Sequence, residues 1–216
     1  MKSVDQAVSG FTHFIAAVLA AVGLILLIQK SANPVKPLHI ITFSIFGCGM
    51  ILLYISSTLY HLLPLSEKGI LRLKKLDHKM IYIFIASTYT PVCLIALRGV
   101  WGWSIFASIW GLAIAGILLK FFWFQVPRWL STVLYILMGW LVIVGIFPLS
   151  KALETWALVW LVSGGVFYTI GALVYVLEKP NPWPKIFASH EIFHIFVMMG
   201  SFSHFWLMYK YVTVFN

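Results

Sequence analysis

Seven runs of mostly apolar residues follow one another along this chain, each near the roughly 20 residues that a helix needs to cross a bilayer. They cover approximately 10–28, 39–63, 80–97, 101–122, 130–148, 155–177 and 187–209. No other feature narrows the fold so far. In hydrocarbon every backbone N–H and C=O must be paired internally, which leaves helices or a closed barrel. The runs do not alternate apolar and polar residues as barrel strands do. The expected fold is therefore all-α: a seven-transmembrane helical bundle, a single domain over residues 1–216. Composition agrees, with 62% hydrophobic and 10% charged residues, where soluble domains are about half apolar and a quarter charged. With no long polar stretch, no extramembrane domain is expected, and any chemistry belongs inside the bundle or at its rim. Residues 10–28 follow Lys2 and carry alanines like a signal peptide, yet the run is long enough to span, so a retained first helix is expected.

Between the runs lie Asn33-Pro34, Pro37, Pro64, Arg98-Gly99, Pro127-Arg128, Pro148 and the Lys179–Pro184 stretch, all helix breakers or turn formers. Tryptophans 101, 103, 123, 129, 156 and 183 fall near run ends, as an aromatic belt predicts. Ala107, Gly111 and Ala115 recur every four residues in the fourth run, the pattern of a close helix contact. There is no strong internal repeat of the kind inverted-repeat transporters carry.

The net charge of +9 does not read as nucleic-acid binding, because the basic residues are scattered through short connections. They set topology instead. One set of loops holds ten (Lys2, Lys68, Arg72, Lys74, Lys75, Lys79, Lys120, Arg128, Lys179 and Lys185), the other five (Lys30, Lys36, Arg98, Lys151 and Lys210). The positive-inside rule then places the N-terminus in the cytoplasm and the C-terminus outside. Cys48 and Cys93 form no disulfide framework and no CxxC, and read as small buried hydrophobes.

Ionisable residues inside spans are expensive, and by default they point to function. His190 and His194, in the stretch SHEIFHIF, are four apart and share a helix face. Such a pair is half of a zinc site, and serves equally as hydrogen-bonding glue between helices. Ser57 and His61 repeat the spacing on the second run, where a serine more often bonds its own backbone. Asp77 stands where the third helix begins, a position that also suits an N-terminal acid favoured by the helix dipole. With the expected topology, the inner ends of helices two, three and seven bring all five residues within about 10 Å of one face. Three histidines and an acid at one depth match a catalytic zinc, with three protein nitrogens and one open position. His13 has the right depth but no partner spacing. His39 and His204 belong towards the outer side. His78 and Glu191 each adjoin a site residue and so face elsewhere on a helix. Ser87, Thr88, Tyr89 and Thr90 precede Pro91 and suit backbone repair at a kink.

An S-x-x-x-H on the second helix, an Asp at the third and an H-x-x-x-H on the seventh together resemble the hemolysin III proteins. These are the bacterial branch of the progestin and adipoQ receptor (PAQR) family, grouped with the alkaline ceramidases in a superfamily of proposed membrane hydrolases. The resemblance covers the whole chain. It implies a multi-pass protein of the bacterial plasma membrane, with zinc (Zn2+) held by His61, His190 and His194. It implies that Asp77 contacts the zinc's water and that Ser57 sits beside it. The expected activity is zinc-dependent hydrolysis of a membrane lipid amide or ester, with Asp77 handling the proton and Ser57 orienting Asp77 or bonding the oxyanion. Two rivals remain: a receptor-like sensor whose zinc is structural, and the lytic pore that the name hemolysin suggests. No row of polar residues crosses the membrane to support a pore. A retinal pump is disfavoured, since the seventh run has no lysine before Lys210.

Overall fold

The computed structural model describes residues 4–123, 126–184 and 186–215. Lys2 and Lys185, two of the basic residues in the orientation reading, lie outside the described residues. Seven helices are long and apolar enough to cross a membrane: Gln6–Ala32, Pro37–Leu62, Glu67–Leu97, Gly99–Phe122, Arg128–Ala152, Thr155–Leu177 and Ser189–Val212. No strand forms among the described residues; isolated bridges at Ala32–Val35 and Trp183–Phe187 only close loops. Consecutive helices pack side by side, and the first also meets the seventh, which closes the bundle. The third span is the hub. Its most apolar window is 67% buried, against 22–50% for the others. One apolar cluster, including Phe43, Phe46, Phe84, Val197 and Leu207, joins helices two, three and seven. A second, including Tyr82, Tyr89, Ile105, Ile109 and Met138, joins helices three, four and five.

Helix three corrects the sequence reading. It begins at Glu67, not near residue 80, with the Ser66 hydroxyl accepting from the Gly69 N–H. Beyond Pro64 the single Gly69 does not stop the helix, and Glu67 to Lys79 is otherwise rich in helix formers, so the helix extends three turns past the apolar run. Asp77 is therefore an interior residue about 15 Å along the helix from Glu67. It is not an N-cap or first-turn acid.

The fourth helix gives a second correction. Ala107, Gly111 and Ala115 face outward, and a Cβ at Gly111 would meet nothing within 4 Å. The inward stripe is Gly102, Ile105, Ile109, Ala113 and Gly116, where Gly116 lies against the Tyr82 ring. The expected stripe therefore does not pack within the bundle; the stripe that does is offset by about two residues and carries Ile105 and Ile109, whose bulk fills the interior. Cys93 is buried as expected, whereas Cys48 is exposed on the outward face of helix two.

Where the backbone departs from α geometry, side chains repair it. Pro91 has no N–H, and the third helix widens into a π turn over Val92–Leu97. Ser87 donates to the Ile83 carbonyl at 2.6 Å, Thr88 to Ile85 at 2.7 Å and Thr90 to Ala86 at 3.1 Å. The fifth span is α-helical to Gly139, 3-10 over Trp140–Gly145, and α-helical again over Ile146–Ala152. Pro148 lies in the first turn of that last segment and does not end the span. Tyr89 reaches across to this break. Its hydroxyl accepts from the Val142 N–H at 3.0 Å and faces the Met138 and Gly139 carbonyls at 2.8 and 2.6 Å. Tyr89→Phe leaves buried backbone groups unpaired, at a cost of about 1–3 kcal/mol. A lower thermal unfolding midpoint in detergent is the expected result, and an unchanged midpoint contradicts this role.

Candidate metal centre

The second helix ends at Leu62, so His61 occupies its last turn and Ser57 lies one turn deeper on the same face. The seventh begins at Ser189, which puts His190 and His194 in its first two turns. The start of the seventh helix is firmly held. Glu191 accepts from the Ala188 N–H at 2.8 Å, and the Asn181 side-chain oxygen accepts from the Ser189 N–H at 3.0 Å. The other Glu191 oxygen accepts from the Ser9 hydroxyl at 2.5 Å, tying the first helix to the seventh. Glu191 is buried and serves this junction.

These anchors bring His61, His190 and His194 together. One ring nitrogen from each lies within 4.8 Å of the others. The Nε2 atoms of His61 and His190 are 3.1 Å apart, and the ring centroids are 4.5–5.3 Å apart pairwise. Tetrahedral zinc with Zn–N bonds of 2.0–2.1 Å would place its nitrogens about 3.3–3.4 Å apart, so the His61–His190 separation fits such an ion. The donor set fits as well: three imidazoles in a low-dielectric setting, with neither cysteine in the group. The three residues that the sequence spacing singled out are the three that converge, and the site is compatible with a metal ion.

Asp77 and Ser57 line the same space as the histidines, and neither joins the ligand-distance set. Among the described residues the Asp77 carboxylate has no hydrogen-bond or ion-pair partner. The Ser57 hydroxyl, although its residue is buried, likewise donates to nothing. Its neighbours Ser56 and Thr58 bond backbone carbonyls at 2.9 and 2.8 Å in the usual way for a helix. Both site groups are thus available to a molecule in the cavity.

The cavity has a volume of about 960 Å³, at the upper end of the range for small-molecule sites. It extends from the histidines past Ile81, Ile85, Val92 and Val142 to Leu161, His204 and Met208. His204 is fourteen residues beyond His190, so the cavity runs about 21 Å along the seventh helix. His204 is far from the ligand set, as the spacing predicted. It bonds the Leu161 carbonyl at 3.3 Å, and a side-chain Cβ at Gly164 would collide with its ring. Next to it, Tyr54 and Tyr168 share the Ser201 hydroxyl at 2.7 and 3.0 Å. His39 packs its ring edge-on to Phe43 near the other end of helix two, also as expected. His78 bonds the Lys74 carbonyl at 2.7 Å and lines the same cavity, so it faces the site more than its neighbour relation to Asp77 suggested.

Sequence reasoning missed His13. Its ring lies parallel to His194, centroids 3.6 Å apart and planes 7° apart, and edge-on to Tyr54 at 5.0 Å. The stack fixes the His194 ring plane from behind. A signal existed: Ser9 and His13 repeat the four-residue spacing on the first helix and present one face to Glu191 and His194.

The chain matches the family described as Haemolysin-III related over residues 2–205. It is 39% identical to Hemolysin-3 of Bacillus cereus over 210 residues, covering 96% of this chain and 92% of that one. It is 37% identical to the Hemolysin-3 homolog of Bacillus subtilis over 208 residues, covering 96% and 94%. Monocyte to macrophage differentiation factor of Homo sapiens is 25% identical over 212 residues, covering 96% and 84%, a distant similarity within the PAQR group. Seven apolar spans, a triple-histidine centre and these relatives together make the chain a multi-pass bacterial membrane protein of the Haemolysin-III-related family.

Proposed function

We propose that this protein is a zinc-dependent hydrolase of a lipid amide or ester, working inside the membrane on lipid turnover. The observation that carries the reading is the placement of an unpartnered carboxylate, Asp77, in the lipid-sized cavity that opens onto three converging histidines. His61, His190 and His194 would hold the ion. Zinc, when bound, would supply Lewis acidity towards a carbonyl and lower the pKa of water towards about 7. The apolar walls hold an acyl chain and keep bulk water from the reaction. Asp77 takes a proton from the attacking water as its oxygen bonds the carbonyl carbon, then returns that proton to the leaving amine or alkoxide as the old bond breaks. The Ser57 hydroxyl donates a hydrogen bond to the developing oxyanion or holds Asp77 in position. His13 keeps the His194 ring oriented.

A closed structural site wants four protein ligands. The described residues bring three together, which favours hydrolysis over the receptor-like reading with a structural zinc. The pore suggested by the name of the Bacillus cereus relative finds no support in the walls of this cavity, which are apolar along most of their length. Orientation follows the charge count: the histidine end faces the cytoplasm.

His190→Ala is expected to cut zinc in the purified protein from about one ion per chain to a small fraction of that, by metal analysis. Full retention would refute the ligand assignment. Asp77→Asn is expected to keep its zinc and lose turnover of the cleavable lipid by about 10²–10⁴-fold. Wild-type rates in that variant would end the role given to Asp77.

A further inference from the structure

Lys120 occupies the last turn of the fourth helix, where a lysine normally extends its ammonium to water. Instead it folds inward. The residue is 4% exposed, lines the same cavity as the histidines, and donates one hydrogen bond, to the Ser131 hydroxyl at 2.7 Å. An ammonium carries three N–H donors, and no carboxylate pairs with this one among the described residues. Lys74 of the third helix lines the cavity too and, among the described residues, has no side-chain partner, yet is near enough for the two charges to repel. The other charged side chains that line the cavity are Asp77, Arg128, Glu178 and Glu191. Arg128 pairs with Glu178, Glu191 is bonded to Ser9 and Ala188, and Asp77 forms no ion pair. Two like charges on the wall of a low-dielectric cavity, neither of them ion-paired among the described residues, are costly. An anion seated between them removes the cost.

We propose that Lys120 and Lys74 bind the phosphate-bearing, anionic headgroup of a lipid whose chain lies in the cavity. Ammonium groups bind phosphate as point charges with several donors each, and Ser131 holds the Lys120 head in place. The source of the anion is a lipid because the basic mouth is continuous with about 21 Å of apolar cavity. The assignment rests on the lipid reading above and narrows it: phosphate-bearing lipids are selected over neutral ones of the same chain length.

The test is binding to the purified, metal-loaded full-length protein in detergent, read as the shift in thermal unfolding midpoint. The probes are phosphatidylglycerol, diacylglycerol with the same acyl chains, and inorganic phosphate. Phosphatidylglycerol is expected to stabilise the wild type, and the other two to do so weakly or not at all. Lys120→Gln keeps a donor for Ser131 but removes the charge; it and Lys74→Gln are each expected to weaken phosphatidylglycerol binding about tenfold or more. Lys120→Arg, with its charge kept, is expected to bind within a fewfold of wild type, and Lys210→Gln at the far end to behave as wild type. Wild-type binding by both Gln variants, or equal stabilisation by diacylglycerol, overturns the proposal. Saturating stabilisation by inorganic phosphate alone also overturns it and assigns the lysines to a free anion. Binding requires no turnover. A wild type that binds phosphatidylglycerol without cleaving any lipid would sink the hydrolase reading and leave this site standing; cleavage that ignores both Gln substitutions would do the reverse.

Discussion

Three imidazoles from the second and seventh helices meet inside an apolar bundle, and the surrounding structure is arranged around that meeting. The His61 and His190 Nε2 atoms, 3.1 Å apart, are two nitrogens that can share a proton or a cation. The third ring, His194, brings another donor to the same point. Three imidazoles gathered this way are compatible with a metal ion, which would satisfy all three at once. The remaining architecture holds them there: Glu191 and Asn181 fix the start of the seventh helix, and Ser9 and His13 dock the first helix on it.

Around this point the polar groups of the cavity divide by position. Asp77 and Ser57, without hydrogen-bond partners among the described residues, stand beside the histidines; Lys74 and Lys120 lie towards the ends of their helices nearest that site; deeper in, Tyr54 and Tyr168 share the Ser201 hydroxyl and His204 bonds the Leu161 carbonyl. The walls between are aliphatic and aromatic. A molecule that matches this sequence of surfaces has a charged head, a polar linkage and a long apolar tail. That is the description of a membrane lipid, and it is why we propose a single ligand for the lysines and the histidines.

Much of this was legible in the amino-acid order. A bilayer imposes a length and a polarity on every span, so seven helices could be counted from apolar runs alone. The four-residue spacing of His190 and His194, and of Ser57 and His61, placed each pair on one helix face. What the pattern could not give was the extent of helix three. Glu67 to Lys79 is helical by propensity and by its Ser66 cap, not by hydrophobicity, so Asp77 looked like an end residue. Nor could spacing show which of two small-residue stripes on helix four faced inward, since both repeat at helical period. Lys120 read as one more topology-setting loop charge, because the direction in which a lysine folds depends on Ser131, eleven residues later in the chain. The Ser9–His13 spacing on helix one gains meaning only from the docking of that helix on Glu191 and His194, which no local pattern encodes.

Zinc K-edge X-ray absorption on the purified protein addresses the metal centre most directly. The account requires three imidazole nitrogens in the inner shell at about 2.0–2.1 Å, with the imidazole scattering reduced in His61→Ala, His190→Ala and His194→Ala alike. A sulfur shell, or an imidazole signal that survives these substitutions, would place the metal elsewhere and contradict the account.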